Sequence, residues 1–247
     1  MRLLFAVLLV LLGCGRSLAA DGAALGLIGY SPDSRYFAFE QFGVQDGSGF
    51  PYWDVFIVDL KANEWVKGSP YRALVEDENA TVAAAREKAR GAATGALAAH
   101  GINEPAMLLA AMPATEVSAD RQRIAFDRWY QSMGARTGNA SDVLGRHELL
   151  VEDIALPRPA ECPAEDGESY GFRLTLRDYH AGTSRVIHED KSIPASRHCP
   201  VGYDMVAVVA QAGLPVTDRL VAIVGVYARG FEGANHRLIA VPFAVSE

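Results

Sequence analysis

Three groups of residues in this 247-residue chain have types and spacings that invite a chemical role. The first is His188-Glu189-Asp190 with His198, which would converge on a cation if the segment between them folded back as a turn. Ligation by side chains needs three or four donors at set spacings. Neither HExxH nor a paired CxxC is present, so the segment reads as a solvated charged loop and no metal is expected. The second is Gly47-Ser48-Gly49. A serine nucleophile needs the strained strand-to-helix elbow of Gly-x-Ser-x-Gly, whereas this serine falls between two strand-like stretches. Asp46-Gly47-Ser48 opens like a calcium loop but lacks the further spaced carboxylates. The third is His198 beside Cys199; neighbours along an extended chain point to opposite faces, so the two cannot share a proton. No Gly-rich phosphate or dinucleotide motif follows a strand, and no cofactor is expected. What remains for catalysis is a set of separated carboxylates, Glu40, Asp127 and Glu232, which would act as an acid–base pair only if the fold brought them together.

The compartment is more legible than the chemistry. Residues 1–20, MRLLFAVLLVLLGCGRSLAA, open with Arg2, run apolar from Leu3 to Leu12 and end in small residues, the layout of a secretory signal peptide. Ser17-Leu18-Ala19 fits ordinary cleavage after residue 19, leaving residues 20–247 as one secreted β-rich domain. Leu11-Leu12-Gly13-Cys14 fits a lipobox less well, because Leu12 is bulky there and Arg16 follows closely. Periplasmic or extracellular residence follows, with a lipid anchor at Cys14 the less favoured route. No later stretch is apolar for long enough to cross a bilayer as a helix. Against 30 Asp and Glu the chain has 23 Lys and Arg; the leader removes Arg2 and Arg16, so the formal charge moves from −7 to −9. That balance disfavours nucleic acid as a partner. Either processing route leaves the same two thiols, Cys162 and Cys199, which an oxidising compartment would pair. Closing the loop between them would contribute roughly 3–4 kcal/mol by chain entropy.

The elements follow from turn chemistry and period. Ser31-Pro32-Asp33-Ser34 is a turn, after which Tyr36–Phe39 and Val55–Val58 make a hairpin around a Gly-rich loop. The same order recurs at Arg123–Phe126 with Glu148–Val151, and at Leu220–Val224 with Arg237–Val241, giving three related hairpin units. Phe172–Arg177 alternates strictly and predicts a strand with one wet face, paired with 185–188. Met205–Ala210 and Leu220–Val226 are apolar throughout, as strands covered on both faces are. One segment breaks the pattern: Ala-rich Thr81–His100, with Asn79 or Thr81 as cap and Gly101 as stop, predicts a long helix over about 80–100 whose narrow apolar stripe rests on a sheet. The fold expected is mainly β, the hairpins arranged like propeller blades or as packed sheets, with one helix.

Ser-Pro-Asp-x-x-x-x-Ala-Phe followed by Val-Phe-Ile-Val-Asp-Leu resembles the blade motif of TolB-type β-propellers. More of the chain, through "GYSPDSRYFAFEQFGVQDGSGFPYWDVFIVDL" and "RGFEGANHRLIAVPF", resembles a bacterial family of predicted secreted proteins of unknown function. That resemblance implies export and carries no catalytic residue with it.

If the three hairpins share one geometry, their loops lie on one side and offer Phe50, Tyr52, Trp53, Tyr130, Arg136, Arg229, Phe231 and Glu232 as a surface. Aromatics mixed with arginine are what recognition surfaces favour. The function expected is a non-catalytic binding or assembly module of the bacterial cell envelope, its partner an unknown protein or envelope ligand. The alternative is a hydrolase with a carboxylate site.

Overall fold

The computed structural model describes residues 20–116, 118–127, 147–163, 167–213, 219–231 and 233–245. The leader with its two cleavage sites, and Tyr130, Arg136 and Glu232 of the expected surface, lie outside the described residues. The strands are β1 (Ala24–Tyr30), β2 (Tyr36–Val44), β3 (Pro51–Asp59), β4 (Glu64–Trp65), β5 (Tyr71–Leu74), β6 (Ala106–Ala111), β7 (Arg123–Phe126), β8 (His147–Ala155), β9 (Tyr170–Asp178), β10 (Thr183–Glu189), β11 (Pro200–Gln211), β12 (Arg219–Arg229) and β13 (Ala234–Ala244). One helix, α1 (Val82–Ala99), interrupts them.

Pairing sorts the strands into three antiparallel sheets. The helix-side sheet has the order β1-β2-β3-β4, with β5 also on β3; the central sheet runs β13-β12-β11-β6; the far sheet is the meander β10-β9-β8-β7. Each expected hairpin is present, as β2–β3, β7–β8 and β12–β13, and each belongs to a different sheet. The β9–β10 pair is also antiparallel, with Arg185 opposite Leu176.

Side-chain alternation decides how the sheets stack. In β12, Leu220, Ala222, Val224 and Val226 join a core with Phe126, Leu149 and Phe172 of the far sheet. Val221 and Ile223 join the opposite core, with Phe37, Phe39, Phe56 and Val58 of the helix-side sheet. The central sheet is therefore covered on both faces, which is why its strands carry no polar period. Beyond the helix-side sheet a third layer of contact holds α1: Ala85, Ala89 and Ala93, at a spacing of four, meet Trp53, Val55 and Ala73. The order is helix, sheet, sheet, sheet. Among the described residues no sheet closes into a barrel.

Local chemistry explains the joints. The Ser31 hydroxyl accepts the Tyr36 N–H at 2.9 Å and donates to Asp33, which also takes the Arg35 N–H at 3.1 Å. Thr81 caps α1 by accepting the Ala84 N–H at 3.2 Å. Gly101, at φ 62°, turns the chain out of the helix in a conformation that a β-carbon disfavours. Glu40, buried between the helix-side sheet and α1, accepts the Trp53 indole N–H at 2.8 Å and Arg90 Nε and Nη2 at 2.7 and 2.8 Å. That bidentate pair fixes the helix to the sheet.

Candidate functional site

The stacking leaves a concavity along the outer edge of the central sheet. Strand β13 is the outer strand there, with the helix-side sheet on one side and the turn between β10 and β11 on the other. From the helix-side sheet come Asp54, Phe56, Trp65 and Arg72; from the short 3-10 turn Ala195–Arg197 and its C-cap come Ser196, Arg197 and His198; β12 and β13 supply Arg229, Asn235, Arg237 and Ile239. This part encloses about 570 Å³. A second hollow of about 360 Å³ continues it, sharing Trp65, Ser196, Arg197 and Ile239, and reaches His188 and Asp190.

Each charged wall is anchored from behind. Arg197 Nη1 bonds Asp190, and its guanidinium lies over the Phe172 ring at 4.9 Å and the Tyr203 ring at 5.8 Å. Asp190 also takes the Phe172 N–H at 2.9 Å and bonds His188 Nε2 at 3.0 Å. Burial pushes the Asp190 carboxyl up, but His188 and Arg197 together outweigh it and hold the group below the ordinary carboxylate range. Burial pushes the Tyr203 phenol up to about 12. On the other wall Arg237 bonds buried Asp21 and lies over Tyr52 at 4.5 Å, while the Tyr52 hydroxyl donates to the same Asp21 at 3.0 Å. Asp54 accepts Gln41 Nε2 at 3.0 Å, with Arg72 Nε 3.9 Å away. Its pKa is raised because burial outweighs those contacts.

His198 carries φ 56° and ψ −125°, a combination costing a residue with a β-carbon on the order of 1–3 kcal/mol. The next residue holds it in place: Cys199 and Cys162 lie at disulfide distance, sulfurs 2.12 Å and Cα atoms 5.6 Å apart. This joins the β8–β9 connection to the turn that forms one groove wall.

The expected aromatic surface is divided by the fold. Trp53 and Tyr52 fall inside β3, not in its loop, and are 6% and 5% exposed. Trp53 stacks on Phe42 at 4.0 Å beneath Arg86 of α1, and Tyr52 supports Arg237, so neither is available to a partner. Phe50 is half-buried in the β2–β3 loop. Phe231, 80% exposed, leans on that loop: a β-carbon at Gly47 would lie 3.2 Å from its ring. Two of the three hairpin loops thus adjoin, and among the described residues of the expected surface Arg229 alone is also in the groove wall. Trp65, Arg72, Arg197 and Arg237 are not singled out by the sequence, where each stands apart from the others with no local motif around it.

Of the expected carboxylates Glu232 lies outside the described residues, and the other two belong to different sheets. Glu40 faces α1 and is fully engaged, while Asp127 follows β7 in the far sheet. No group of three His, Cys, Asp or Glu side chains suited to a metal occurs among the described residues.

Fold and groove together define a layered β protein with a cysteine pair at disulfide distance and a concave, arginine-walled edge. No helix among the described residues is long and apolar enough to cross a membrane. The chain belongs to the family of predicted secreted proteins DUF2259, whose pattern matches residues 38–244. No curated protein matches it.

Proposed function

We propose that the protein is an exported, non-catalytic recognition module of the bacterial cell envelope, freed of residues 1–19 on export, and that it binds through the groove along β13. The observation that carries this reading is the groove itself. It sets a 40% exposed indole, Trp65, among four guanidinium groups on a frame of three packed sheets. Tryptophan and arginine are the side chains on which binding energy concentrates. Arg197 and Arg237 are already oriented by buried carboxylates, so little freedom is lost when a ligand arrives. A backbone held in a costly conformation at His198 marks the same wall. The hydrolase alternative has no support in the geometry of its carboxylates.

A photo-crosslinking residue placed at Trp65 in cells exporting the protein tests the reading, with Tyr179, 59% exposed at the end of β9, as control. Adducts are expected at position 65 and not at 179. Equal adducts at both, or substrate turnover by the purified protein that Glu40→Gln abolishes, would overturn it.

A further inference from the structure

The groove's charge runs against that of the chain. The protein has 30 acidic and 23 basic side chains and a formal charge of −7. Yet the 570 Å³ cavity is lined by Arg72, Arg197, Arg229, Arg237 and His198 against one carboxylate, Asp54. Guanidinium groups offer five donors each; Arg197 bonds Asp190 and Tyr203 through Nη1 alone, whereas Arg237 gives both Nη groups to Asp21 and the His236 carbonyl and serves as a fixed charge in the wall. Asp54 is engaged from within the wall, accepting Gln41 Nε2 at 3.0 Å with Arg72 Nε 3.9 Å away. Apolar surface from Phe56, Trp65 and Ile239 adjoins the cations, and the volume falls in the range of small-molecule sites.

The floor excludes one competing occupant. An extended peptide would need the outward backbone groups of β13, which alternate along the strand. The His236 N–H donates to the Asp21 carbonyl at 2.8 Å and its carbonyl accepts the Ala23 N–H at 2.9 Å. The Leu238 N–H donates to the Gln41 side chain at 2.8 Å. Two residues further on in each case come Ala240 and then Pro242, which has no N–H to give. A strand ladder would thus be blocked at His236, at the Leu238 N–H and at Pro242, which favours recognition by side chains.

Resting on the groove reading above, we propose that the ligand is a small organic anion. Its carboxylate or phosphate group meets Arg72, Arg229 and the outward face of Arg197, and its apolar portion lies along Trp65 and Ile239. Arginine forks match the planar or tetrahedral oxygens of either group, which ties orientation to charge.

The test uses the full mature chain, labelled with nitrogen-15, and follows the Trp65 indole N–H resonance, assigned with Trp65→Phe. The probes are 4-phenylbutyrate and phenyl phosphate, with 4-phenylbutanamide as the uncharged match and butyrate as the match without a ring. Either anion should shift the Trp65 signal saturably, with the amide and butyrate each weaker by about tenfold or more. Arg72→Gln with Arg229→Gln, both at exposed positions, should weaken the anions by about tenfold and leave the amide unchanged. Which anion binds more tightly assigns the head group as carboxylate or phosphate. If the amide binds as tightly as the acid, the anion proposal falls while the groove remains a recognition site. Anions that leave the Trp65 signal unmoved up to about 10 mM would overturn the proposal, and the crosslinking result then judges the groove reading separately.

Discussion

Gly225 sits where a hydrogen bond has to cross a strand. Asp204 on β11 stands opposite Gly225 on β12, and His236 on β13 stands opposite Tyr227, yet His236 Nε2 and Asp204 Oδ1 are 3.0 Å apart. The bond passes over the glycine: a β-carbon there would lie 1.9 Å from His236 Nε2 and 2.0 Å from Asp204 Oδ1. Asp204 also accepts Arg121 Nε at 2.8 Å and the Tyr227 hydroxyl at 3.0 Å. Burial raises the pKa of this carboxyl, but His236, Arg121 and Tyr227 outweigh that and hold it charged. Gly225→Ala should therefore lower stability by about 3 kcal/mol, combining overpacking with the loss of a charge-assisted bond. Because the steric conflict is shared between the His236 ring and Asp204 Oδ1, Gly225→Ala with His236→Ala should cost less than the sum of the two single changes, while the contact with Asp204 keeps part of the penalty, as read from denaturant melts. Simple additivity would mean that the strap across β12 is not what requires the glycine.

At the scale of elements, α1 depends on one buried ion pair more than on its own sequence. Its contact face is alanine, which buries little area, and no acidic residue occupies its first turn. The Arg90–Glu40 pair, side chains 33% and 5% exposed, is what ties it down. Arg90→Ala leaves a buried carboxylate with the Trp53 indole alone, and should cost about 2–4 kcal/mol. Adding Glu40→Gln should recover part of that loss, and amide exchange in residues 82–99 should rise in the single variant first. A single variant as stable as the parent would show that the alanine stripe suffices.

Legibility in the sequence divides along the same elements. The hairpins and α1 announce themselves by pattern and cap, because β9 alternates as a strand with one wet face does, β12 is apolar throughout as a strand covered on both faces is, and Thr81 and Gly101 bound the helix. Strand β6, Ala106–Ala111, was not anticipated: Ala, Met and Leu favour helix, and it is strand because β11 pairs with it. The groove had no local signature, since its walls come from β3–β5, the 3-10 turn and β13, and it exists only once the sheets stack. Aromatic Tyr52 and Trp53 looked like loop residues because the β2–β3 loop closes sooner than the glycines suggest. Position in β3 then turned Trp53 toward α1. Charge in the segment 188–198 looked solvated, whereas Asp190 is buried and its partners are Arg197 and His188.

For the whole molecule, stacking three antiparallel sheets buries both faces of the central one and leaves its β13 edge lying between the helix-side sheet and the turn after β10. The Cys162–Cys199 pair, at disulfide distance, ties the turn forming one wall to the β8–β9 connection. The central claim is that this groove, not the adjoining hairpin loops with Phe50 and Phe231, is where the protein meets its ligand. Hydrogen–deuterium exchange of the mature chain with and without envelope extract tests this most directly. The account predicts slowed exchange in residues 194–199 and 234–241, with residues 45–50 and 230–231 unchanged. Slowing confined to residues 45–50 and 230–231, with the groove segments exchanging as before, would contradict it.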